Sequence, residues 1–255
     1  MRLTSLAGGA LLSVALTATA LTAQATNLVT NGSFEDIGTS SSQGFTIVTG
    51  SLPGWDVTSS GTFNNYNALV SGTATDSFGG PSAQGPAGYS PSYFWTDPGS
   101  SPDGGNFVAA DGDSAFAKPI SQTITGLTVG DVYSLVFYQA AAQQAGFNGA
   151  TTEAWQVTFG GVTQTSATMN NADQGAVAWE QQTLSFTAVS ATQVLSFLAV
   201  GTPNGLPPVS LLDGISLTPP TPPGPDPVPE PLSISLLGVS VIGIAAVRRR
   251  RRSAD

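Results

Sequence analysis

The sequence predicts an all-β protein built as a sandwich or barrel, on three observations. Residues 155–159 alternate cleanly, with Trp155, Val157 and Phe159 on one face and Gln156 and Thr158 on the other. Strand-like stretches recur about every ten residues, separated by Gly, Ser, Asn and Pro. No segment sustains helical spacing; the short Ala-Gln run over residues 140–145 is the one candidate helix.

The chain opens on a signal-peptide pattern. Met1-Arg2 supplies a positive start, residues 6–21 an apolar run, and Ala23-Gln24-Ala25 a small-x-small cleavage site. Residues 1–25 are therefore expected to form a signal-peptide helix, handled by the secretion translocon and removed by signal peptidase after Ala25. The 193 residues from Thr26 to Thr218 are enough for one sizeable core.

Within that stretch, residues 71–105 form a long Gly-, Ser- and Pro-rich loop that still holds Phe78, Tyr89, Tyr93, Phe94 and Trp95. These aromatics bear two readings: Tyr93 and Trp95 stack on sugar rings, or Tyr93, Phe94 and Trp95 pin the loop to the core. Residues 107–110 read as a strand flanked by Asp103-Gly-Gly-Asn106 and Asp111-Gly-Asp113. That acidic cluster lacks the EF-hand spacing, and Asp beside Gly is also ordinary turn chemistry. Residues 122–125 and 132–139 read as a strand pair. Residues 155–159 and 162–165 read as a hairpin about Gly160-Gly161. Residues 179–187, 193–200 and 211–217 complete the strands.

The remainder has three parts in order. Residues 219–231 are proline-dense and biased to an extended linker. Residues 232–247 (LSISLLGVSVIGIAAV) are uncharged and apolar apart from serines; as a helix of about 24 Å they suit a single transmembrane span, slightly short. Arg248, Arg249, Arg250, Arg251 and Arg252 follow, within residues 248–255, and should stay cytoplasmic.

Between Thr26 and Pro225 one base, Lys118, faces thirteen carboxylates, a net charge of −12. Nucleic acid is excluded as a partner for want of a basic footprint, and anionic membrane surfaces are disfavoured. Zero cysteine removes disulfides, zinc-thiolate sites and thiol nucleophiles. Zero histidine removes Ser-His-Asp triads and imidazole bases. A glycoside hydrolase needs only two suitably spaced carboxylates, but nothing marks such a pair, and the expectation is that the protein is not an enzyme.

Two resemblances add to this reading. Val228 followed by Pro229, Glu230 and Pro231, an uncharged span and an arginine cluster resemble the PEP-CTERM sorting signal of Gram-negative bacteria. That resemblance implies recognition by an exosortase in the inner membrane, and delivery to the cell surface or extracellular space. Asn27-Leu-Val-Thr-Asn-Gly-Ser-Phe-Glu35, Leu52-Pro-Gly-Trp55, Gln122 through Tyr133, and Leu211-Leu-Asp-Gly-Ile-Ser-Leu217 resemble parts of carbohydrate-binding modules with a galactose-binding-like jelly roll. It implies a jelly-roll-type sandwich and a structural calcium held by Glu35 and Asp213 with backbone carbonyls; ordinary capping or turn roles for both carboxylates stay open. The function expected is a non-enzymatic exported surface or matrix protein, associated with exopolysaccharide. The alternative is a module recognising a specific glycan or, less favoured, a glycoside hydrolase.

Overall fold

The computed structural model describes residues 26–38, 45–47, 51–57, 67–70 and 94–220. The expected signal peptide, transmembrane span, sorting motif, arginine cluster and Tyr93 all lie outside the described residues. Among those described, no helix is long and apolar enough to cross a membrane.

The described chain is all-β: thirteen strands in two antiparallel sheets that form a sandwich. One sheet runs β1 (Phe45–Ile47), β4 (Asn67–Val70), β5 (Phe107–Asp111), β13 (Pro208–Thr218), β7 (Val132–Gln143) and β11 (Ala176–Thr187). The other runs β10 (Met169–Asn171), β8 (Thr151–Phe159), β12 (Thr192–Thr202), β6 (Ile120–Thr125), β3 (Trp55–Val57) and β2 (Ser51–Leu52), with β9 (Val162–Thr165) also paired to β8.

Alternation is what makes these strands a sandwich. In β8, Trp155, Val157 and Phe159 are buried between the sheets while Gln156 and Thr158 are half-exposed. They meet Phe34, Trp55, Phe137 and Phe197 in the main core. Phe137 and Trp155 both contact the Phe197 ring edge-on, with centroids 5.2 Å and 6.1 Å away. The Trp155 indole N–H donates to the Leu211 carbonyl at 3.0 Å, a bond that joins the two sheets.

A second apolar cluster covers the outer face of the first sheet. Phe107 and Ala109 of β5 belong to it, whereas Val108 and Ala110 face the main core. Val70, Phe94, Ala140, Ala142, Val209 and Leu211 complete it, with Trp179 packed against it. This explains the Ala-Gln run over residues 140–145, which is not a helix: residues 140–143 are the end of β7, buried on both faces. Double burial removes the alternation by which a strand is read from sequence.

A second expectation is also corrected. Residues 122–125 and 132–139 are both strands but not a pair. β6 pairs with β12 and β3, while β7 pairs with β11 and β13 in the opposite sheet. The turn between them crosses from one sheet to the other. The hairpin about Gly160-Gly161 forms as read, with Phe159 opposite Val162 and both glycines at positive φ.

Candidate functional site

Glu35 is placed by the turn that precedes it. Asn31 adopts positive φ and closes the turn with its own side chain. Its amide donates to the carbonyls of Asp36 and Pro53, at 2.7 and 3.0 Å, and its Oδ1 accepts from the Asp36 amide at 3.0 Å. The Trp55 indole N–H bonds the Asn31 carbonyl at 3.0 Å. Phe34, also at positive φ, is driven wholly into the core, and Glu35 is thereby turned out to the surface. Its Oε1 accepts from the Asn106 amide at 2.6 Å.

The opposing wall is Asp103-Gly-Gly-Asn106. Gly104 and Gly105 both have positive φ, and a Cβ on Gly105 would lie 1.8 Å from Glu35 Oε1, so glycine is needed for the carboxylate to enter. The floor is Asp213, wholly buried on β13 where a bulge interrupts its pairing with β7. Gly214 takes positive φ there, and a Cβ on it would lie 3.1 Å from the Asp103 Cβ. Asp213 Oδ1 accepts from the Gly214 amide at 2.8 Å, while the buried Oδ2 has no hydrogen-bond partner.

Burial pushes the Asp213 carboxyl up to about 8; bonds from Ser101 and the Gly214 amide act the other way, and the Asp103 and Glu35 charges add to the rise. The charges of Glu35 and Asp103 thus reach the buried Asp213 carboxyl. Glu35 lies within electrostatic reach of Asp213, as does Asp103, which sequence grouped with Asp111 and Asp113. Its signal was the Gly-Gly that follows it.

Among the described residues no group of three or more Asp, Glu, His or Cys side chains is arranged as a metal cage. A cation at this place would therefore need backbone oxygens or water beside the carboxylates. The orphaned Oδ2 and the hard-oxygen donors are of the kind calcium takes.

Asp111 and Asp113 serve the backbone. Asp111 Oδ1 accepts from the Asp113 amide at 2.8 Å; Asp113 accepts from Ala115 and Gly205 amides at 2.8 and 2.6 Å.

At one end of the sandwich three loops interlock. Trp95 is half-buried, and its indole N–H donates to the Phe147 carbonyl at 2.6 Å. Thr96 Oγ1 donates to the Gln174 carbonyl at 2.8 Å, and the Gln174 amide reaches Asn148 Oδ1 at 2.6 Å. Asp173 accepts from the Gly149 amide at 2.6 Å, and buried Gln143 bonds both Gly149 and Gln174 from below. Thr96, Asn148, Asp173 and Gln174 are exposed, so the end presents a fixed polar rim beside an aromatic ring.

No protein-family model and no curated protein matches the chain. Solved structures align with parts of the chain. A family 61 carbohydrate-binding module in complex with β-1,4-galactotriose matches at 15% identity and TM-score 0.41, covering 76% of this chain and 99% of that one. The arabinose-bound GH51 α-L-arabinofuranosidase MgGH51 matches at 16% and 0.37, over 76% of this chain and 26% of its own. A CBM22-2 xylan-binding domain of Paenibacillus barcinonensis matches at 11% and 0.29, over 46% and 80%. At such identities and scores the likeness assigns no ligand to this chain.

Proposed function

We propose that the chain is a non-enzymatic exported protein whose β-sandwich is stabilised by calcium at Glu35 and Asp213 and is delivered to the cell surface or matrix, in association with polysaccharide. The observation that carries the delivery is the order of the tail: a proline-rich linker ending in Pro229, Glu230 and Pro231, an apolar span, then Arg248–Arg252. The translocon, signal peptidase and an exosortase are the partners this reading requires. The absence of histidine from the sequence supports a non-catalytic role.

The unpartnered Oδ2 of buried Asp213, within electrostatic reach of Glu35 and Asp103, supports the calcium reading. Glu35 and Asp213 would hold the ion with backbone carbonyls, and it would tie the loop after the first segment to the last strand. In a domain without disulfides, such a tie adds to stability at the point where the two ends of the fold meet.

Intact mass of the protein from cells and from medium tests the routing. The expected mass begins at Thr26 and ends near residues 229–231. A protein that keeps residues 232–255 and stays in membranes overturns the sorting reading.

A second reading, recognition of a specific glycan, is favoured by the fixed rim of Thr96, Asn148 and Gln174 beside Trp95. Retention on insoluble polysaccharides, lost on Trp95→Ala or Tyr93→Ala, is the expected outcome. Passage of the wild type through every polysaccharide tried would sink it.

A further inference from the structure

Between β8 and β10 the inside of the sandwich carries polar groups that the fold does not use. Glu153 is 1% exposed and Asn171 2%. Thr151 and Asn171 oppose one another in the β8–β10 pairing, and Glu153 lies two residues along on the same face. The buried Thr151 hydroxyl donates to Glu153 Oε1, and the Asn171 amide stands beside the same carboxylate. Yet Glu153 Oε2 and both amide atoms of Asn171 are buried without a hydrogen-bond partner. β10 also packs on β7, where wholly buried Gln139 leaves its Oε1 unpartnered. Glycine at 175 makes room for Asn171, since a Cβ there would come within 2.7 Å of its Oδ1.

Groups of this kind are seldom left unmet in a core, because each unpartnered atom has given up its hydrogen bonds to water and received none in return. The groups that touch Glu153 are neutral. Lys118, the one base between Thr26 and Pro225, sits at the turn before β6, with its carbonyl bonded to Asn67 of β4. Protonation would remove the charge but turn an oxygen that lacks a partner into a donor that needs one.

We infer that Glu153, Asn171 and Thr151 form a buried site for a monovalent cation, sodium or potassium. One carboxylate balances one positive charge, the Thr151 hydroxyl supplies a neutral oxygen, and the Asn171 amide joins by turning its oxygen from Gly175 toward Glu153. A divalent ion would leave a net charge in an apolar interior and commonly takes more carboxylates. The site is separate from Glu35 and Asp213 and does not rest on the calcium reading.

Thermal unfolding at pH 8.5, at equal ionic strength in sodium, potassium or tetramethylammonium chloride with calcium held constant, tests it. The melting temperature of the wild type is expected to be about 5 °C higher in sodium or potassium than in tetramethylammonium, which is too large to enter. The difference is expected to vanish in Glu153→Gln and to shrink in Thr151→Val. Equal melting temperatures in all three salts overturn the inference, as does a Glu153→Gln protein that keeps the full difference. If Glu153→Gln does not fold, a full difference retained by Thr151→Val overturns it. A stability lost on raising the pH in tetramethylammonium and not restored by sodium or potassium means that a proton alone neutralises Glu153, and also overturns it.

Discussion

Asp111 illustrates what happens to a carboxylate taken out of water in this domain. It is 6% exposed, and burial pushes it up to about 6; the bond from the Asp113 amide lowers it and the Asp113 charge raises it again. Between about pH 4 and 6 the folded Asp111 keeps a proton that the unfolded chain has released. The folded state binds more protons in that window, so Asp111 makes stability fall as pH rises through it. Asp111→Asn keeps the acceptor for the Asp113 amide and removes the titration; calorimetry across pH 4–6 should show a shallower fall than the wild type. Ser166 offers a different kind of test. Its hydroxyl accepts from the buried Trp155 amide at 2.9 Å, and Ser166→Ala should lower stability by about 1–3 kcal/mol in urea unfolding. Which residues matter at this scale was partly legible. Glu35 and Asp213 stand in quotable motifs, whereas the meeting of Asp103 with Asp213 depends on a bulge that no local pattern announces.

At the scale of elements, the first segment is locked to the last strand. The Leu28 amide donates to the Leu217 carbonyl at 2.9 Å and the Ile215 amide to the Gly32 carbonyl at 3.0 Å. A Cβ on Gly32 would fall 2.1 Å from the Ile215 carbonyl oxygen. Gly32→Ala should therefore destabilise by about 3 kcal/mol, read as a lower urea midpoint at unchanged slope. Strands were legible where a wet face gives a long alternation, as in β8 and β12. Over residues 140–143, covered on both faces, the strand was not legible, because an Ala-Gln run fits a buried strand and a helix turn alike, whereas β5, covered the same way, was read as a strand. Pairing was legible across Gly160-Gly161, where the turn itself fixes the register. It was not across residues 126–131, because a turn that crosses between sheets has the same composition as one that joins neighbours.

For the whole molecule, the decisive number is a net charge of −12 on a domain with a single lysine. Glu153 is pushed up to about 7 and Asp213 to about 8, burial being the first cause for each. Both keep protons that the unfolded chain has lost above about pH 4, so each lowers stability as pH rises toward 7 or 8. Without bound cations the domain should be more stable at pH 5 than at pH 8. Removing calcium with a chelator should lower the melting temperature more at pH 8 than at pH 5, and Asp213→Asn should abolish that difference. A melting temperature indifferent to chelation at both pH values would argue against the calcium reading. The −12 was legible from composition alone; which carboxylates are buried was set by topology.

The place of β13 has a consequence for timing. Residues 208–218 are the last strand in the chain order of the sandwich, yet they lie inside their sheet, between β5 and β7. Until that stretch has emerged, β5 and β7 have no common neighbour, and the carbonyls that receive Trp155 and Leu28 are missing. Most pairings are between strands distant in sequence, which slows assembly further. A chain threaded through a translocon from its N-terminus would thus stay open and transportable until nearly all of the domain had passed, then close at once. A chain cut before Pro208 should show no cooperative melting, and should remain open to protease along its whole length.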